Sequence, residues 1–242
     1  MRTVIVLPTF NERENIVGLL TAVRAVDADI DVVVVDDNSP DGTAEVARET
    51  GRRLGGVTVL DRTSKDGLGS AYRAGFRRAL DEGYEVVISM DADGSHDPAV
   101  IPRMLGLIDD GADAVIGSRY VTGGGTTDWP VRRQLLSKWG NAYTRFALGL
   151  PTRDCTSGFR AYRASALAAI EPGSTSAEGY AFLTELVRRL DRLGYAVVET
   201  PIIFRDRTLG KSKMSGPIIA ESMLLVTRWG LADRVRRLRR RS

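Results

Sequence analysis

Three stretches of this chain place carboxylates where they could do chemistry. They are Pro8-Thr9-Phe10-Asn11-Glu12, Val35-Asp36-Asp37-Asn38-Ser39-Pro40-Asp41-Gly42-Thr43 and Met90-Asp91-Ala92-Asp93-Gly94-Ser95-His96. Each follows a short run of Val, Ile and Leu. An Asp-x-Asp after a buried strand suits a hard divalent cation, because Mg2+ and Mn2+ prefer carboxylate oxygens and complete their shells with substrate phosphates and water. Two carboxylates this close raise each other's pKa unless a cation lies near them. Asp41 and Asp97 stand just before helical sequence, where an acidic side chain accepts from free N–H groups of the first turn, so they are assigned to capping.

Other chemistries lack their residues. One His and one Cys exclude a His-rich metal centre, a thiolate zinc cage and an intramolecular disulfide, and they point to a reducing compartment. His96 is read as a helix-start residue or a support for a ligand, and Cys155 as a small packing residue. No G-x-G-x-x-G follows the first apolar run, and Gly67-Leu68-Gly69 matches only half of it after the third. There is no Walker A sequence, and Ser118 lacks a nucleophile elbow.

The elements that must position these residues follow from periodicity. Apolar runs at Thr3–Leu7, Asp31–Val35, Val57–Leu60, Glu85–Met90 and Ala114–Gly117 read as strands buried on both faces, hence parallel. Between them lie amphipathic stretches: Ile16, Leu19, Leu20 and Val23 at helical spacing, then Ala44–Leu54, Gly69–Leu80 and Ala99–Ile108. Alternation of this kind predicts an α/β fold with a doubly wound, mostly parallel sheet flanked by helices. Ligands in such sheets bind at the carboxyl ends of the strands, which is where all three carboxylate stretches fall. After Tyr120 come the glycines 123–125, a helix at about Arg133–Leu148, a polar turn at Thr152–Gly158, a helix at Glu178–Leu193 and one strand at Ala196–Phe204. With no linker or repeat, residues 1–215 read as one catalytic unit and 216–242 as a terminal basic helix.

Composition sets the outer limits. The 242 residues are 43% hydrophobic and 27% charged, an ordinary soluble mix. The net charge of +3 conceals an asymmetry: residues 228–242 hold seven Arg and one Asp, leaving a mildly acidic body, so nucleic acid is not an expected partner. No apolar run approaches the roughly 20 residues that span a bilayer, and the N-terminal run is too short for a signal peptide. In the terminal helix Leu224, Leu231, Val235 and Leu238 share a face, and Arg234, Arg236, Arg237, Arg239, Arg240 and Arg241 supply charge. That pattern fits a solvated helix packed on the body, or an amphipathic helix lying on an anionic membrane surface with Trp229 at the interface.

The three carboxylate stretches together resemble the inverting family-two glycosyltransferases of GT-A fold. Gly117-Ser118-Arg119-Tyr120, Asp154-Cys155-Thr156-Ser157-Gly158-Phe159-Arg160 and Asp206-Arg207-Thr208-Leu209-Gly210-Lys211-Ser212-Lys213 narrow the resemblance to the dolichol-phosphate and polyprenol-phosphate mannose synthases. It covers about Thr3 to Ser215. It implies a donor-nucleotide pocket of Pro8, Phe10, Glu12, Val35 and Asp37, with GDP-mannose as donor. It implies that Asp91, Ala92 and Asp93 meet the diphosphate and a divalent metal, Mg2+ or Mn2+. Asp93 is then the best ligand, with Asp91 and Ser95 beside it; some relatives carry Gln where this chain has the shorter Ser95. Arg207 and Lys213 match basic residues that close over the diphosphate, and Thr208–Gly216 reads as a lid. Arg119, Arg133 and Ser137 fall where the family binds the lipid phosphate.

The reaction so implied is direct attack of a polyprenyl phosphate on the anomeric carbon, with inversion and release of GDP. A phosphomonoester already carries about −1.5 to −2 charges near neutral pH, so it needs little general-base help. Catalysis reduces to stabilising the departing diphosphate and steering one anion towards another. The catalytic set is Asp91, Asp93, Arg119 and Arg207. The acceptor's hydrocarbon implies a peripheral enzyme on the cytoplasmic face of a membrane, held by 217–241 or by a membrane-anchoring partner. Open alternatives are another sugar nucleotide, such as UDP-glucose or UDP-N-acetylglucosamine, with the same lipid class, and a catalytically silent binding subunit.

Overall fold

The Val- and Ile-rich runs become strands and the amphipathic stretches become helices in the computed structural model, which describes residues 1–175, 177–206 and 216–239. The order is β1 (Thr3–Thr9), α1 (Arg13–Val26), β2 (Asp31–Asp36), α2 (Thr43–Leu54), β3 (Val57–Asp61), α3 (Leu68–Asp81), β4 (Val86–Ser89), α4 (Ile101–Asp109), β5 (Ala114–Ser118), β6 (Gly125–Thr127), α5 (Val131–Leu148), β7 (Arg160–Arg163), α6 (Ala164–Ala169), α7 (Gly179–Leu193), β8 (Val197–Pro201), β9 (Ile203–Arg205) and α8 (Gly216–Arg239).

Seven strands form one sheet in the order β3-β2-β1-β4-β7-β5-β8, and β6 pairs with β9 in a separate two-stranded ribbon. All neighbours in the large sheet run parallel except β7, which is antiparallel to both β4 and β5. Side chains alternate across the sheet with period two. Val4, Val6, Val33 and Val35 face α3 and α7 with Tyr72, Phe76, Phe182 and Leu186. Ile5, Leu7, Val32 and Val34 face α1 and α4 with Ile16, Leu20, Met104 and Ile108. Removing such a side chain from water is worth roughly 1.5–3 kcal/mol each, which fixes the register and thereby the heights at which the strand ends stop. A third cluster of Ile116, Leu148, Leu150, Cys155, Val187 and Val226 lies under α5, α7 and α8.

The fold matches the expected class, with four differences. Strand β7 was not expected, because Arg-Ala-Tyr-Arg is not an apolar run. Arg160 is nonetheless fully buried, its guanidinium donating to the carbonyls of Ser157, Cys155 and Leu183. Val57–Leu60, expected to be buried on both faces, is the edge strand and is only partly covered. The single strand expected at 196–204 is two, parting at Ile202, and the second joins the glycine loop as β6-β9. Helix α5 begins at Val131, directly after Pro130, rather than at Arg133.

Candidate active site

Asp91 and Asp93 leave the carboxyl end of β4 in the middle of the sheet. The Asp91 carboxylate is about a third exposed. Tyr72 donates its hydroxyl to Oδ1 at 3.2 Å, and His96 Nε2 lies 3.4 Å from Oδ2. Tyr72 is fully buried and stacked on Phe76 and Phe182. Burial, with Asp91 beside it, holds its phenol well above the ordinary value, so it acts only as a donor. Gly158 is the other wall: a Cβ there would lie 2.8 Å from Asp91 Oδ1, a distance real side chains do not adopt. Asp93 is buried deeper. Its Oδ1 accepts from the Ser95 backbone N–H at 3.1 Å and from the Ser95 hydroxyl. Gly94 turns this loop at φ +74°.

The two aspartates with Ser95 supply hard oxygen donors only. Among the described residues no three His, Cys, Asp or Glu side chains come together as a complete metal site. The donor set therefore fits a cation of the Mg2+ or Mn2+ type, which takes one or two protein carboxylates and completes its shell from substrate oxygens and water. Asp41 and Asp97 do cap, accepting from the N–H groups of Thr43 and Ala99.

The first two carboxylate stretches border the same strand ends. Asp36 is spent locally, accepting from Thr9, from the Ser39 hydroxyl and from the Ser39 N–H. Asp37 instead meets the Arg62 guanidinium, which also reaches Ser70 at 2.6 Å. Burial pushes the Asp37 carboxyl up, with Arg62 opposing it. Phe10 lies under Lys65, whose Nζ is 3.9 Å from the ring centre. Glu12 Oε2 accepts from Asn15 and its N–H donates to Thr43. Val35 is buried in the sheet and Pro8 partly exposed at its rim. Arg62 and Lys65 carry no periodic signal and were not expected.

Arg119 directly follows the end of β5. Its Nε and Nη2 each donate to Asp154 at 2.7 Å, its backbone N–H donates to the same carboxylate at 3.0 Å, and Nη2 also reaches Thr156 at 2.8 Å. Asp154 is fully buried and the Arg119 side chain nearly so. Burial alone would lower the Arg119 pKa, but Asp154 more than reverses this. Burial would raise Asp154, and Arg119 holds it below the usual carboxylate range. The pair is ionised, and these bonds engage the Nε and Nη2 edge of the Arg119 guanidinium. Arg133 donates to Asp206 at 2.8 Å and stacks 4.0 Å from the Trp129 ring centre, which also faces Arg119 at 5.6 Å. Ser137 accepts from the Tyr120 hydroxyl at 2.6 Å. Arg132, next in sequence, points to solvent.

Arg119, Arg133 and Ser137 line one cavity between α5 and α8, walled by Leu136, Trp139, Met223 and Val226. Phe204 on β9 divides this cavity from the carboxylates. Its ring lies 5.2 Å from His96 on one side, and 5.3 Å from Trp129 on the other. Asp154 and Trp129 were not expected as site residues; Asp154 sits within a recognised motif, but its role as the partner of Arg119 is visible only in three dimensions. Arg207, Lys213 and the Thr208–Gly216 lid lie outside the described residues, except for Gly216 at the start of α8. Cys155 is a packing residue, its thiol pushed up to about 12 by burial.

The glycosyl transferase family 2 model matches residues 4–170, which include both carboxylate and arginine sides. The chain belongs to glycosyl transferase family 2. An undecaprenyl-phosphate mannosyltransferase of Micrococcus luteus is 48% identical over 241 residues, covering 100% of this chain and 99% of that protein. A polyprenol monophosphomannose synthase of Mycolicibacterium smegmatis is 47% identical over 239 residues, 98% of this chain and 90% of that one. Among solved structures, glucosyl-3-phosphoglycerate synthase from Mycobacterium tuberculosis, in complex with Mn2+, UDP-glucose and phosphoglyceric acid, superposes with a TM-score of 0.70 at 21% identity. The match covers 95% of this chain and 80% of that one. The structural likeness shows the GT-A fold, as expected.

Proposed function

We propose that this enzyme transfers a mannosyl residue from GDP-mannose to a polyprenyl phosphate, with inversion at the anomeric carbon. The observation that carries the reading is the cavity in which Arg119 and Arg133 meet apolar walls. A phosphate headgroup and a hydrocarbon tail need that combination in one place. The two relatives, nearly half identical over almost the whole chain, are both named as mannosyl transferases to polyprenyl-type phosphates. GDP as the leaving nucleotide rests on the resemblance of the carboxylate stretches.

In this reading an oxygen of the lipid phosphate bonds to the anomeric carbon as the bond to the GDP β-phosphate oxygen breaks, and that oxygen keeps the electron pair. Arg119, fixed by Asp154, presents its outer edge to the acceptor phosphate, and Arg133 supplies the second guanidinium; planar guanidiniums match phosphate geometry. Ser137 is an additional hydroxyl at the same wall. Asp91, Asp93 and Ser95 would hold a divalent cation, Mg2+ or Mn2+, which when bound supplies positive charge for the diphosphate. Asp91 is oriented by Tyr72 and His96. Ala92 lies between the two aspartates. Pro8, Phe10, Glu12, Val35 and Asp37 would border the nucleotide, and Arg207 and Lys213 would close over it.

Among the described residues no helix is long and apolar enough to cross a membrane. We place the enzyme peripherally on the cytoplasmic face, held by its own surface or by a membrane-anchored partner. The test is transfer of radiolabel from GDP-mannose to a polyprenyl phosphate, with and without chelator, against UDP-glucose and UDP-N-acetylglucosamine as donors. Chelator-sensitive product from GDP-mannose alone is expected; product only from a UDP-sugar would replace the donor assignment, and no lipid product would refute the reaction.

A further inference from the structure

We propose that Glu199, on β8, is a positioning residue for the acceptor phosphate. Its carboxylate holds the turn from Arg153 to Ser157 and so sets where Asp154, and through it Arg119, stands. The proposal rests on the transfer reading above and adds to it a residue from outside the cavity.

Five successive backbone N–H groups in this turn donate to side-chain oxygens. Arg153 donates to Glu199 Oε2 at 2.8 Å, and Asp154 to Glu199 Oε1 at 2.9 Å. Cys155 donates to Asn141 Oδ1 at 2.8 Å. Thr156 and Ser157 donate to Asp154 Oδ1 at 3.3 and 3.1 Å. Helices and sheets fix such groups with rows of carbonyls; here three side chains do it. A change in one of them is therefore felt along the whole turn.

The three side chains have different reach. Asp154 closes the turn on itself and accepts from the guanidinium and the backbone N–H of Arg119. Asn141 belongs to α5, and its amide donates to the Ser137 carbonyl and to the Thr156 hydroxyl. It ties the turn to the helix that carries Arg133 and Ser137. Glu199 ties the turn to the sheet. It is in register with Ile116 of β5, on the edge strand β8. With side chains alternating along a strand, it shares the face of Val197, which packs on the cluster of Ile116 and Cys155. Arg119 follows β5 by one residue, so its strand and the turn behind it are both referenced to β8. The strand is held by the ladder and the turn by the Glu199 carboxylate.

The geometry calls for a carboxylate. Two adjacent N–H groups need two acceptors, and an ionised Glu offers two oxygens and no donor. Gln in the same place would keep one oxygen and turn an NH2 towards the other N–H. Strand β8 repeats the device at its other end, where Asp113 Oδ2 accepts from the Ala196 N–H at 2.8 Å. That contact lies at the far end of the strand from Arg119 and serves as a control.

Steady-state transfer from GDP-mannose to a short, water-soluble isoprenyl phosphate tests the proposal. Glu199→Gln should raise the acceptor KM about 3–10-fold, the worth of one lost hydrogen bond, with kcat and the donor KM unchanged. A residue that only stabilised the fold would lower the melting temperature and the active fraction, hence kcat, and leave the acceptor KM alone. Asp113→Asn is expected to behave in that second way. In an Arg119→Lys background, Glu199→Gln should add nothing further to the acceptor KM, because both changes act on one guanidinium. Glu199→Asp keeps two acceptors on a shorter arm and should fall between wild type and Gln; it carries the test if the Gln variant does not fold. Independently of turnover, the Arg119 Nε–H resonance in 15N-arginine protein, identified by its loss in Arg119→Lys, should shift in Glu199→Gln and stay in place in Asp113→Asn. An unchanged acceptor KM in the folded variant, full additivity with Arg119→Lys, or an unmoved Nε–H resonance overturns the proposal. If the wild type transfers nothing to the isoprenyl phosphate, the transfer reading fails by itself, and the Nε–H resonance alone decides whether Glu199 positions Arg119.

Discussion

The carboxylate side and the arginine side of the cleft are held in place by different kinds of contact. Asp91 meets the Tyr72 phenol and the His96 imidazole, and Asp93 the hydroxyl and the amide N–H of Ser95. Arg119 and Arg133, across Phe204, are each paired with a carboxylate. In the proposed reaction the first side offers its carboxylates to a divalent cation that the donor diphosphate would share. The second balances its cations in advance, so it orients an anion more than it accumulates one. In the proposed reaction one side would serve electrostatic stabilisation and the other placement, and they should fail differently when altered.

The largest effect expected is from Asp93→Asn. It should lower mannosyl transfer roughly 10²–10³-fold, in the range for removing one group that stabilises developing charge. Melting temperature should scarcely move; a large drop in it would place Asp93 in the structural class. Asp154→Asn should do the reverse of this, acting through the fold. Leaving a buried guanidinium without its carboxylate costs about 3–5 kcal/mol, or roughly 6–20 °C in melting temperature for a chain of this size. Calorimetry that found an undisturbed transition would erase the contrast between the sides. Because Asp154 is depressed in the fold, its contribution is complete above the unfolded carboxylate range and is lost as pH falls below it. Acid should therefore destabilise the wild type more steeply than the Asn variant, as pH-dependent unfolding would reveal.

Tyr72→Phe keeps the ring stack and removes only the hydroxyl bond to Asp91. It should lower kcat by about 3–10-fold, the net worth of one typical intramolecular hydrogen bond, with KM for the lipid unchanged; a change confined to KM would move Tyr72 out of this role. The smallest effect is from Asp206→Asn. Releasing the part-exposed Arg133 should lower the acceptor KM about 2–5-fold, in line with a pair worth 1 kcal/mol or less, while kcat stays level. A rise in KM would mean that Asp206 positions Arg133 for the acceptor.

The sequence made the carboxylate half legible because its signals are local. Buried strands at β1, β2 and β4 end in acids, and the strand ends of an α/β sheet converge. Arg119 was legible through its place after β5. Its pairing with Asp154 was not, because the partner lies 35 residues away and the contact depends on β7, a strand without apolar periodicity. Arg133 could be separated from Arg132 only once α5 had a phase relative to the cavity. The terminal helix showed a different limit. Its leucine spacing gave a face correctly, but periodicity does not say whether a face turns inward, and here Asp233 and Gly230 take the inner side.

Strand β7 runs against its neighbours, and that reversal decides what can be mounted at the rim of the sheet. In a wholly parallel sheet every rim loop leaves a strand and feeds a helix. An inverted strand delivers an inbound segment instead, the stretch from Gly149 to Phe159, tethered by α5 before it and by two ladders after it. This segment brings Asp154 behind Arg119 and Gly158 beside Asp91, so a single peptide stretch touches both the arginine side and the carboxylate side of the cleft. Shortening or lengthening it by one residue would shift the two contacts together, which in the proposed reaction would couple headgroup recognition to the geometry of the leaving group.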